Sequence, residues 1–399
     1  MSNRLQSLDF LRGSCILWML FQHITLWLAN ANALVMLDLI VNIFDGFGSG
    51  AFLFVSGLGI ALSHRSKKQK VVNKKGFFYK RLRLNYFLKA GLLLALSFGF
   101  NLFIYFVVSN LDATVIWIWF ILQTLPISMI LAWPLLNSNK YLKVISAIGC
   151  LVLYQILIGL LYPFKNQYSN PLFIVQFILF NGDHLSPLLG FFPFFIIGAF
   201  FGDIIYENSI HDKTKLKNSA FINQKVLPLL LSGIFLIIIA ILIIPPGIIT
   251  VPSSSFLFSF RSVSWLLYSI GILLTTFSLL LIIEKSGLFK IKEKYRFVYY
   301  FSYYSLSVFL LHYIFDIFFF PSLDLWLILI LWSLIVFGMG LVMKGIHILI
   351  GKHFSLKHQL GVVANRITKS IYKEEISQIP VDIKEFPIIK QTESQKKAI

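Results

Sequence analysis

Apolar runs of about 20 residues, the length a helix needs to cross a bilayer, recur along most of the chain. They fall at residues 10–30, 43–63, 86–109, 113–136, 144–163, 187–206, 226–246, 262–284, 298–320 and 324–350. The pattern predicts an all-α, polytopic integral membrane protein with about ten transmembrane helices. A shorter apolar piece at 172–180 reads as re-entrant or interfacial. Basic residues collect in alternate gaps. Residues 64–85 hold nine (Arg65, Lys67, Lys68, Lys70, Lys74, Lys75, Lys80, Arg81 and Arg83), residues 137–143 hold Lys140 and Lys143, residues 207–225 hold four and residues 285–297 hold five. The other gaps are nearly bare, with Lys165 in one and Arg261 at the edge of another. Because Lys and Arg mark the cytoplasmic side, the alternation orients every span and puts both termini in the cytoplasm. On this reading residues 1–351 form the transmembrane domain. Residues 352–399 form a mixed-charge cytoplasmic tail, largely disordered, with 355–373 as an interfacial helix.

Composition agrees and narrows the classes. Of 399 residues 57% are apolar and 13% charged, too much apolar surface for one soluble core. The net charge of +18 would suggest nucleic acid if it were spread over a soluble surface, but here it follows topology, so no nucleic-acid partner is expected. Cys15 and Cys150 both lie within apolar runs and offer neither a disulfide framework nor a metal site. The basic start and Ala29-Asn30-Ala31 imitate a cleavable signal peptide, but Asp9 and Arg12 come late for its basic region, and Gln22 and His23 interrupt its apolar centre.

Ionisable residues inside spans are expensive and by default mark functional sites. The stretch SLDFLRGSCILWMLFQH, residues 7–23, carries Asp9, Arg12 and His23. At 100° per residue, Arg12 and His23 fall on one helix face, about 16 Å apart along the axis. Arg12 then sits at the cytoplasmic edge, where it also serves as an ordinary anchor. His23 lies about 20 Å deep. His312, in SYYSLSVFLLHYIF, lies roughly 21 Å into a span entered from the same side. The two histidines either share a polar cavity or are separate core residues. Asp45, entering the second span from outside, either orients His23 or is a solvated helix-start carboxylate. The glycines around it, Gly46, Gly48, Gly50, Gly57 and Gly59, read as packing surface. Lys80, Arg81 and Arg83, in FFYKRLRLNYF, anchor the third span. They also suit the phosphates of a nucleotide-like donor such as coenzyme A.

Taken together, RLQSLDFLRGSCILWMLFQH followed by GSGAFLFVSGLGIALS resembles the opening of the heparan-alpha-glucosaminide N-acetyltransferase catalytic family. That family is a branch of the multi-span acyltransferases that include the acyltransferase-3 group. The Arg-x10-His pattern of that superfamily falls on Arg12 and His23, and KRLR at 80–83 is similar to the basic pair after span two, with Lys80 where Arg is usual. GDHLSPLLGFFPFFIIGAFFG and SYYSLSVFLLH resemble its middle and late stretches. The lysosomal branch places an important histidine in the loop after span one, and this chain has none between His23 and His64.

The resemblance implies a plasma-membrane enzyme moving an acyl group, most simply acetyl, from cytoplasmic acyl-CoA to a saccharide-type hydroxyl or amine acceptor, without a metal. His23, Asp45 and His312 are the expected catalytic residues, and Arg12, Lys80, Arg81 and Arg83 the expected donor-binding residues. The chain acts alone or as a homo-oligomer on this reading. The competing class is a proton-coupled transporter or flippase using intramembrane histidines, and a non-catalytic scaffold or sensor is a third.

Overall fold

A computed structural model describes residues 5–72, 77–107, 116–164, 167, 169–180, 186–208, 218–244, 262–287, 296–315 and 322–372. The tail beyond 372 and parts of the expected spans at 108–115 and 316–321 lie outside the described residues. Among these residues all regular elements are helical, and an isolated bridge joins Ala29 to Leu323.

The first three helices are α1 (Gln6–Leu28), α2 (Ala31–Phe44) and α3 (Ser49–Val72). The connection expected at 31–42 is therefore itself helical. Asn30 starts it by accepting a hydrogen bond from the Ala33 amide at 2.8 Å, and Ala33 and Leu37 pack against Ile24, Leu28 and Ile328. Then come α4 (Phe77–Val107), α5 (Ile121–Leu136), α6 (Lys140–Leu161), α7 (Pro171–Phe180) and α8 (Leu188–Tyr206). A short helical turn and a π turn at Ile222–Val226 lead into α9 (Leu227–Leu242), and α10 spans Val263–Ser286. The ninth expected span is broken at Tyr304 into α11 (Arg296–Tyr303) and α12 (Ser305–Leu311). The described chain closes with α13 (Leu325–Leu349) and α14 (Leu356–Ile371).

Seven helices among the described residues are long and apolar enough to cross a membrane, and they coincide with seven of the ten expected spans. The remaining three are α1, whose apolar run is interrupted by Arg12, Gln22 and His23; α5, with 16 residues; and the broken α11/α12 pair.

Two features hold the centre. A Cβ on Gly57 of α3 would come within 2.0 Å of the Phe195 carbonyl oxygen, and one on Gly198 of α8 within 2.0 Å of the Phe54 carbonyl oxygen. Only glycine lets these backbones meet, and in lipid such close contact drives association in place of the hydrophobic effect. At the basic end, Asp203 of α8 accepts from Arg65 of α3 through Nε at 2.8 Å and Nη2 at 3.0 Å, and from the Lys143 ammonium of α6. That knot ties three helices through a buried carboxylate and a buried ammonium, with Arg65 partly exposed at its edge.

Candidate active site

Two histidines from different helices meet inside the bundle. His23, three turns above Arg12 on α1, and His312, at the end of α12, meet with ring centroids 4.7 Å apart. Trp27, one turn after His23, stacks on His312 at 5.7 Å with the planes 14° apart, and Tyr313 closes the group 4.6 Å from His312. His312 is fully buried. Its Nδ1 bonds the Phe309 carbonyl oxygen. A carbonyl only accepts, so Nδ1 carries the hydrogen and a neutral ring keeps its lone pair on Nε2. That Nε2 and the Nδ1 of the half-buried His23 are both enclosed by protein and unpaired. Buried polar atoms are normally satisfied; two unsatisfied imidazole nitrogens on adjoining rings are suited to bind and deprotonate a substrate.

Asp45 lies in a 3-10 turn between α2 and α3. Its Oδ1 accepts from Gln22 Nε2 at 2.7 Å and its Oδ2 from Trp265 Nε1 at 3.0 Å. Gln22 and His23 are neighbours in sequence but point about 100° apart around α1. The carboxylate thus fixes the side of α1 next to the imidazole, through Gln22.

At the basic end, Arg12 opens into a cavity of about 410 Å³ bounded by α1, α3, α4, α5, α12 and α14. Ser56, Ser63, His64 and Lys67 of α3, Asn85 and Lys89 of α4, and Lys357 of α14 give it polar walls. An adjoining cavity of about 400 Å³ shares Arg12, Lys89 and Lys357 and adds Ser302, Ser355, His358 and Asn365. No acidic side chain lines either one. Asp9 pairs with Arg12 at 3.6 Å from beside the cavity and accepts from Ser302 at 3.2 Å. The inner end of the lining is Phe52, whose ring is 6.4 Å from Phe309, itself 5.3 Å from His312. One aromatic ring, Phe309, thus lies between the cavity lining at Phe52 and His312.

The basic stretch singled out in the sequence is split by helix geometry. Leu82, Asn85, Tyr86, Lys89 and Leu93 recur at helical spacing and form the cavity face of α4. Lys80, Arg81 and Arg83 are outside that lining; Lys80 points to the opposite face, Arg81 and Arg83 to its two flanks, and the Arg83 guanidinium lies 5.8 Å from the Phe87 ring. The cavity cations Lys67, Lys89 and Lys357 were not singled out by the sequence reading. The signal for Lys67 is its helical spacing with Ser56 and Ser63, polar residues on the cavity face of α3.

Metal chemistry has no ready ligand set among the described residues, where no three His, Cys, Asp or Glu side chains come together.

Fold and site define a polytopic membrane protein with a histidine pair and a basic cavity among its helices. The chain belongs to the heparan-alpha-glucosaminide N-acetyltransferase catalytic family, whose model matches residues 4–238, more than half of its length. It is therefore a membrane acetyltransferase. No curated protein matches it.

Proposed function

We propose that the protein takes acetyl from acetyl-CoA held in the basic cavity, on the cytoplasmic side, and passes it to a saccharide hydroxyl or amine reaching the histidine pair from beyond the membrane. The observation that carries this reading is the arrangement along α1. An acid-free cationic cavity lies at Arg12, and the unpaired nitrogen of His23 lies on the same helix face about 16 Å deeper, with the His312 ring against it. Guanidinium and ammonium groups match the donor's phosphates. The thioester arm runs inward past Phe52 and Phe309.

At the pair, His23 is the general base. It takes the proton of the acceptor hydroxyl or amine as that atom forms its bond to the thioester carbonyl carbon. The tetrahedral intermediate collapses with loss of the C–S bond, and the thiolate leaves with the proton that the imidazolium returns. His312, with its tautomer fixed by Phe309, accepts or relays that proton through Nε2. The aromatic walls exclude water, which would otherwise hydrolyse the donor. Asp45 acts on this site as a positioning residue through Gln22.

Donor binding tests the reading. Lys89→Ala is expected to raise KM for acetyl-CoA about tenfold, the worth of one charge-assisted contact, with kcat held. Lys89 is a cleaner probe than Arg12, because removing Arg12 also strips buried Asp9 of its cation. Purified protein that retains no coenzyme A by equilibrium dialysis would overturn the assignment of the cavity to the donor.

A further inference from the structure

The helix α14 follows the last long span and lies outside residues 4–238, where the family match ends. It is built into the basic cavity. Lys357, Gly361 and Asn365 recur every four residues and turn one stripe toward the two chambers, while Arg366 faces outward. Two sets of hydrogen bonds hold the helix there. At its far end Asn85, a cavity-lining residue of α4, donates to Asn365 Oδ1 at 2.7 Å and Thr368 Oγ1 at 3.3 Å. At its start the break in the ninth span provides the anchor. Ser307 Oγ accepts from the Leu356 amide at 3.2 Å and donates to the Phe354 carbonyl at 3.1 Å, and Tyr304 donates to the Gly351 carbonyl at 2.7 Å. The interruption at Tyr304 therefore does more than end a helix. It moors the segment that covers the cavity mouth.

We propose that α14 is a wall of the donor site and that Lys357 binds a phosphate of coenzyme A together with Arg12 and Lys89. The inference rests on the functional reading above. Its basis is that these three cations, from the first helix, the fourth and the last described one, are common to both chambers, and that no carboxylate lines either. Multiple cations on one acid-free wall suit a polyphosphate ester better than a neutral or cationic solute. Lys357 is an exposed residue on the rim, so it binds the donor without itself being buried beforehand.

The test uses full-length protein in detergent and measures coenzyme A binding by calorimetry and acetyl-CoA turnover in parallel. Lys357→Ala is expected to weaken coenzyme A binding and raise KM about tenfold, with kcat unchanged and a shallower salt dependence. Lys357→Arg restores binding. Arg366→Ala removes one positive charge from the outward face of the same helix and leaves binding at the wild-type level. Equal binding by wild type and Lys357→Ala overturns the role of α14 alone, because the donor cavity would still be occupied. A matching loss in Arg366→Ala also overturns it, since net charge would then account for the effect. Wild type that binds no coenzyme A overturns the donor site as a whole, and this inference with it.

Discussion

Replacing His23 with alanine is expected to lower kcat for acetyl transfer by about 10²- to 10⁴-fold, the range contributed by a positioned general base. Coenzyme A binding should be unchanged. The separation follows from the geometry. His23 sits about 16 Å along α1 from Arg12, and neither histidine lines the basic cavity. His312→Ala should impair turnover as well, but by less than the product of two independent losses. The rings touch at 4.7 Å, so each variant disables the same unit. Single-turnover transfer from labelled acetyl-CoA, run beside a donor-binding assay, reads both quantities. Loss of donor binding in His23→Ala would show that the imidazole belongs to the binding site or to the fold instead.

The second large effect is on stability. Asp203 is 1% exposed and is the anion shared by Arg65 and a fully buried Lys143. Asp203→Ala leaves the Lys143 ammonium enclosed without its carboxylate, and breaking a buried pair from one side costs about 3–5 kcal/mol. Lys143→Met should cost less, because Asp203 keeps both contacts to Arg65. Glu207→Gln, which removes the exposed partner of Lys140, should cost under about 1 kcal/mol. Denaturant unfolding in detergent ranks the three. Equal losses would mean that the knot is not what holds α3, α6 and α8 together.

Much of this was legible in the sequence because it depends on period and depth alone. Counting 1.5 Å per residue from the basic ends set His23 and His312 at one level, and the two rings do meet. The glycines of the second span read as packing surface, and Gly46 and Gly50 lie against Ser269 and Phe194. What a linear reading missed depends on which face of a helix meets which neighbour. A basic residue near a span end has the same topological meaning wherever it points, so Lys80, Arg81 and Arg83 stood out by clustering while Lys67 and Lys89 did not. Lys357 was further hidden in a stretch that composition marks as polar tail. Asp45 was placed by depth alone. The apolar segment 31–44 folds as α2, and Asp45 then accepts from Gln22 and Trp265. The break at Tyr304 had no local mark, since Ser, Tyr and Phe continue a helix as readily as they end one.

The central claim is that an acyl bond changes at the histidine pair. The most direct test supplies detergent-purified wild type with acetyl-CoA and a panel of amino and hydroxyl saccharides, and follows release of the free coenzyme thiol. The account predicts thiol release that requires an acceptor, is matched by label on the saccharide, and disappears in His23→Ala. It would be contradicted if the donor stayed intact while flux of a solute across reconstituted vesicles depended on His23, because the histidines would then serve transport.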